Sequence, residues 1–163
     1  MKTAYVFFNG QLEGSREFYI KLLAKEKGDI YCADGGANHL ETLGILPLEI
    51  WGDLDSVTKE IIEKYRNNKV TIKKFPKDKD YTDGELILQH ISKMDYDKIT
   101  VIGGLGGRID HLLTNLNLIF KFKNLMFVTE KEKMLLGKLY NASDAELQKE
   151  LKRCRKLTRL FNN

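Results

Sequence analysis

Six short apolar runs alternate with five helix-like segments across the first 130 residues, and this alternation constrains the fold more than any other feature of the chain. The runs are Thr3–Phe8, Ile30–Ala33, Glu49–Trp51, Val70–Phe75, Ile99–Ile102 and Leu125–Thr129. Helical patterning fills 15–27, 36–43, 57–67, 82–94 and 109–122. In 82–94, Thr82 stands as an N-cap with Glu85 three residues on, the spacing of a capping box. Leu86, Ile87, His90, Ile91 and Met94 then recur at helical spacing. Strands that alternate with helices are joined by right-handed crossovers and pair in parallel, with both sheet faces covered. The expected fold is therefore α/β: a doubly wound, mostly parallel sheet of about six strands with helices on both faces.

Such a sheet binds ligands beyond the carboxyl ends of its strands. The polar motifs of this chain stand there. Asn9-Gly10 follows the first run, Asp34-Gly35-Gly36 the second, and Gly52-Asp53-Leu54-Asp55 the third. Lys79-Asp80-Tyr81-Thr82-Asp83 follows the fourth, and Gly103-Gly104-Leu105-Gly106-Gly107-Arg108 the fifth.

Composition excludes several classes. At 163 residues, 42% hydrophobic and 31% charged, the chain can bury a full core. With two prolines and no Gly/Ser-rich stretch, it shows no flexible linker. The apolar run Ala4–Phe8 is too short for a signal peptide or a membrane span. Cys32 and Cys154 lie far apart and fit no metal-ligand spacing, so a cytoplasmic protein without structural disulfides is expected. The net charge of +4 is unevenly distributed: residues 131–163 carry +5 and the remaining 130 carry −1. The overall basicity therefore gives the body of the protein no nucleic-acid character, and neither nucleic acid nor membrane is the expected partner.

Asp53 and Asp55 form a DxD pair in a turn. Mg²⁺ prefers carboxylate oxygen at about 2.0–2.1 Å and takes one or two carboxylates plus substrate phosphates. Asp is equally at home in turns, because it hydrogen-bonds its own backbone. Asp34 and Asp83, brought to the same sheet edge, change that balance, since crowded carboxylates repel and a divalent cation relieves them. The Gly103–Gly107 run lets backbone approach closely and presents N–H groups to anionic oxygens, though a plain helix-entry turn would look the same. It has neither P-loop nor dinucleotide-fingerprint spacing. Lys79 and Arg108 are cations suited to a polyphosphate or to an ordinary surface. Asp110 can cap a helix start, and His111 can serve as a general base or a hydrogen-bonding residue. His39, His90 and Trp51 read as structural.

The motifs ADGGAN (33–38), GDLDS (52–56), KDKDYTD with Glu85 (77–85) and GGLGGRIDHLLTNL (103–116) occur in the order and spacing of the thiamine pyrophosphokinases, which the chain resembles over about residues 3–130. The resemblance implies transfer of diphosphate from ATP to the thiamine hydroxyl, giving thiamine diphosphate and AMP. It implies Mg²⁺ held by Asp53, Asp55 and Asp83, with Asp55, Asp83 and Asp80 as the catalytic carboxylates. Asn9, Asp34, Gly35, Gly36, Lys79, Thr82, Gly104, Gly107, Arg108, Asp110 and Asn115 would line the nucleotide and diphosphate site. A homodimer is implied as well. The alternative is a truncated or divergent member that binds Mg-nucleotide without thiamine binding or turnover.

The family continues into an all-β domain that helps bind thiamine and form the dimer. After Lys133 no such pattern of short alternating strands develops. Instead Ser143-Asp144-Ala145-Glu146 reads as a capping box. It leads into Leu147, Leu151, Cys154, Leu157 and Phe161 at helical spacing, opposite a basic face of Lys149, Lys152, Arg153, Lys156 and Arg159. The expected organisation is an α/β catalytic domain over 1–133 and a helical extension over 134–163. That extension is open to three accounts: a truncated or frame-altered chain, a naturally short member with a docked helix, or a basic helix for nucleic acid or membrane.

Overall fold

The computed structural model describes residues 1–12, 15–105 and 109–127, with Lys149 and Lys152 beyond them; for residues 109–112 it describes the backbone alone. The chain divides into two compact units, Met1–Phe127 and Val128–Asn163. The expected extension over 134–163 lies outside the described residues except for Lys149 and Lys152, both helical.

The first unit is a six-stranded sheet in the order β4-β3-β2-β1-β5-β6. Its strands are β1 (Thr3–Phe7), β2 (Gly28–Ala33), β3 (Glu49–Gly52), β4 (Thr71–Lys74), β5 (Lys98–Ile102) and β6 (Leu125–Phe127). Every pairing is parallel. Five helices link them: α1 (Arg16–Lys25), α2 (Gly36–Leu43), α3 (Lys59–Asn67), α4 (Asp83–Ile91) and α5 (Ile109–Lys121). All six strands and all five helices fall where the apolar periodicity places them, within a few residues at the ends.

Strand alternation sends successive side chains to opposite faces, and β1 is buried along its whole length. Ala4 and Val6 join Tyr31, Ala33, Trp51, Ile99 and Val101 on one face, covered by Ile87, Leu88 and Ile91 of α4 and Leu118 of α5. Tyr5 and Phe7 alternate with them and are as deeply buried. Burial of each large apolar side chain stabilises by roughly 1.5–3 kcal/mol. Ser15, Thr58 and Thr82 cap α1, α3 and α4, each accepting from the backbone N–H three residues on. Glu85, the expected partner in the capping box, gives its carboxylate to Lys121 of α5. Among the described residues no helix is long and apolar enough to cross a membrane.

The strand order reverses between β1 and β5, because successive strands are laid outward from β1 in one direction and then in the other. That reversal is the switch point at which crevices open in doubly wound sheets. The loops after β2, β1 and β5 therefore stand side by side.

Candidate active site

The loop after β3 turns sharply at Leu54, whose φ of 65° is one that side-chain-bearing residues rarely adopt. Asp53 Oδ1 accepts a hydrogen bond from the Asp55 backbone N–H at 3.1 Å, closing an Asx turn. Next to it Asp34, at φ 41°, donates its backbone N–H to Trp51 O at 2.8 Å. The two loops are thus stitched together at the strand ends. Gly52 makes this approach possible, since a Cβ there would sit 2.9 Å from Asp34 Cβ. Two non-glycine residues at positive φ, both beside the same carboxylates, store strain of a kind concentrated at functional sites.

The result is a cluster in which Asp34, Asp53 and Asp55 each offer a carboxylate oxygen, all within 4.8 Å of one another. Asp34 Oδ1 is buried and has no hydrogen-bond partner. Hard carboxylate oxygens, one of them buried and unsatisfied, suit a divalent cation such as Mg²⁺. One member differs from the expected trio of Asp53, Asp55 and Asp83. Asp34 stands with the first two, while the Asp83 carboxylate faces Lys79, whose Nζ is 3.0 Å from Oδ1 in an ion pair without hydrogen-bond alignment.

Asp83 opens α4 and is largely shielded from solvent. Burial raises its pKa; Lys79 pulls it down in part, and the charges of Asp34 and Asp53 push it up again. The carboxyl therefore holds a proton more readily than a free aspartate. Asp55 behaves oppositely. Its hydrogen bond from Lys77, at 2.6 Å, and a second from Ser56 hold it below its usual range. Lys77 adds to the cations expected in these loops, Lys79 and Arg108. Its position two residues before Lys79 was the available signal.

The remaining expected residues are distributed around this cluster. Thr82 serves as the α4 cap, and Asp80 is exposed in the preceding loop. Lys79 also donates to Pro76 O at 2.9 Å. Gly35 and Gly36 open α2, and the Asn9 side chain packs against Gly35. On the far side of β1, Asn115 of α5 donates its carboxamide N–H to Gly104 O. Gly107 and Arg108 lie outside the described residues, and Asp110 and His111 have described backbone only.

Sequence comparison identifies the lineage of this arrangement. Residues 20–129 match the family described as thiamin pyrophosphokinase, catalytic domain. The chain belongs to that family. A thiamine pyrophosphokinase of Bacillus subtilis is 34% identical over 88 residues, 54% of this chain and 41% of the relative. Thiamine pyrophosphokinase 1 of Oryza sativa subsp. japonica is 33% identical, over 60% of this chain and 45% of the relative. The crystal structure of the Bacillus subtilis enzyme superposes with a TM-score of 0.64 at 26% identity, covering 78% of this chain and 60% of that one. Thiamin pyrophosphokinase from Geobacillus thermodenitrificans gives a TM-score of 0.63 at 27% identity, covering 78% and 59%. This member of the thiamin pyrophosphokinase family thus spans less than half the length of the first two relatives. Residues 133–163 match a different description, the maltose acetyltransferase hexapeptide capping motif. The helical periodicity of that segment carries no sign of a second family.

Proposed function

We propose that the chain carries the nucleotide- and metal-handling part of a thiamine pyrophosphokinase, which transfers diphosphate from ATP to the thiamine hydroxyl and releases AMP. The observation that carries the reading is the Asp34–Asp53–Asp55 cluster at the carboxyl edge of a sheet belonging to this family. These three side chains would hold Mg²⁺, which when bound neutralises polyphosphate oxygens. Diphosphate transfer depends on positioning and charge compensation more than on covalent help from the protein. Lys79, paired with Asp83, is the cation we assign to offset charge on the transferred group. The glycine-rich turn that begins at Gly103 and Gly104 is the segment we assign to the phosphate oxygens. Asp83 is the acceptor we assign to the alcohol proton, because burial makes it more basic than an ordinary aspartate. The hydroxyl oxygen then bonds to the β-phosphorus as the bond to the α-phosphate oxygen breaks, and AMP leaves.

The domain organisation we propose is a catalytic segment over 1–133 followed by a distinct extension over 134–163. It is supported by a family match that ends at 129 and a second match that begins at 133. The reading is tested by AMP formation from ATP, Mg²⁺ and thiamine against a thiamine-free control. Thiamine-dependent AMP, lost in Asp55→Ala with the fold intact, is the expected result. No AMP at saturating substrates would remove the transferase reading, and calorimetric binding of Mg·ATP without thiamine binding would leave a binding module.

A further inference from the structure

We propose that His39 is a positioning residue that pegs the β1 and β5 loops together through the Gly10 carbonyl. The proposal rests in part on the functional reading, since those loops are the ones assigned to phosphate. His39 lies in α2, the helix that begins just after Asp34. Its Nε2 is 2.7 Å from Gly10 O. A carbonyl oxygen can only accept, so Nε2 carries the hydrogen. The ring is therefore in a form that has its hydrogen on Nε2.

Gly10 is itself the joint between two loops. Its N–H donates to Gly103 O at 2.9 Å, just beyond the Phe8 N–H bond to Ile102 O that ends the β1–β5 ladder. The contact is close enough that a Cβ on Gly10 would lie 2.2 Å from Gly103 O. Gly103 takes φ 70°, and the next carbonyl, Gly104 O, is held from the other side by Asn115. The glycine run is therefore gripped by Asn115 on α5 and, through Gly10, by His39 on α2. Because Asp34 sits at the mouth of α2, the same helix ties the phosphate-facing loops to the carboxylate cluster. A histidine without motif context thus holds two loops in register across the switch point.

The test compares His39→Leu and His39→Asn with His39→Gln. Leu keeps bulk without a donor, Asn is too short to reach, and the Gln amide places an N–H near the Nε2 position. Amide hydrogen exchange at Gly10, read on the metal-free protein, needs no activity. One lost hydrogen bond should accelerate it roughly three- to tenfold in the Leu and Asn variants, with Gln restoring the wild-type rate. The Kd for Mg·ATP and the KM for ATP should rise by a similar factor, with kcat nearly unchanged, because a loosened loop weakens ground and transition states alike. Unchanged exchange in Leu and Asn, or no restoration by Gln, overturns the proposal. Should wild-type protein bind no Mg·ATP, the functional reading fails while the exchange data still decide the role of His39.

Discussion

Replacing Asp53 with Asn should make the metal-free protein more stable and weaken the stabilising response to Mg²⁺. Asp34 and Asp53 are both half-buried, and their carboxylate oxygens come within 4.8 Å. At that separation two like charges repel by about 0.9 kcal/mol in bulk water and about 3.5 kcal/mol at an effective dielectric constant of 20. Between these limits the substitution relieves about 1–2 kcal/mol. Asn preserves the local geometry, because its Oδ1 can still accept from the Asp55 N–H that closes the turn. For a chain of this size such a relief raises Tm by about 2–8 °C.

Wild-type protein should respond to Mg²⁺ more strongly. A ligand present at 100 times its Kd stabilises the native state by about 2.7 kcal/mol. The assay is thermal unfolding in EDTA and in excess Mg²⁺, followed by circular dichroism. A variant that melts lower than wild type in EDTA while keeping the full Mg²⁺ response would refute the reasoning. In that case neither the repulsion nor the shared ion would exist at this cluster.

Other substitutions probe separate parts of the site. Asp83→Asn should stabilise the metal-free protein near neutral pH. The raised folded-state pKa means that the native state binds protons more readily than the unfolded one, so stability falls as pH rises through the raised value. The gain should vanish below the unfolded-state value of 3.8, and urea melts in EDTA across that range would show it. Gly84→Ala places a Cβ 2.5 Å from the buried Phe8 ring; overpacking there should cost roughly 1–3 kcal/mol in urea unfolding. Lys77→Met frees Asp55 from its ion pair, so Mg²⁺ should bind modestly tighter by calorimetry, and the difference should shrink with added salt.

The strand and helix pattern was legible because a parallel sheet buried on both faces leaves short continuous apolar runs, and five such runs end in polar motifs. Element ends drifted by one to three residues: Thr82 caps α4 from outside the helix, α4 stops at Ile91 before Met94, and β4 stops at Lys74 before Phe75. The acidic character of the site could also be read directly. Which carboxylates meet could not. Asp34 joins Asp53 and Asp55 only because Gly52 lets its Cβ approach, a contact across two strands that spacing along the chain does not encode. Asp83 is drawn to Lys79, four residues before it, a pairing that local spacing allowed but did not demand. His39 was invisible for a further reason: its partner is a backbone carbonyl 29 residues away, which leaves no residue-type signature.

The arrangement also bears on what kind of substrate the edge can hold. The acidic cluster sits at the ends of β2 and β3, whereas the glycine backbone sits at the ends of β1 and β5. These four strands are neighbours in the order β3-β2-β1-β5. At about 4.8 Å between adjacent strands, the outer two are roughly 14 Å apart. A single phosphate group could engage one end of that row but not both. A ligand that uses the carboxylates through a cation and the backbone N–H groups directly must extend its charge across several strand ends, as a polyphosphate does. Asp34 at the head of α2 bonds Trp51 O at the end of β3, and His39 further along the same helix contacts Gly10 after β1, whose N–H bonds Gly103 O after β5. Displacing that helix would disturb the carboxylate and the glycine halves together, so a polyphosphate bound as proposed would lose both grips at once.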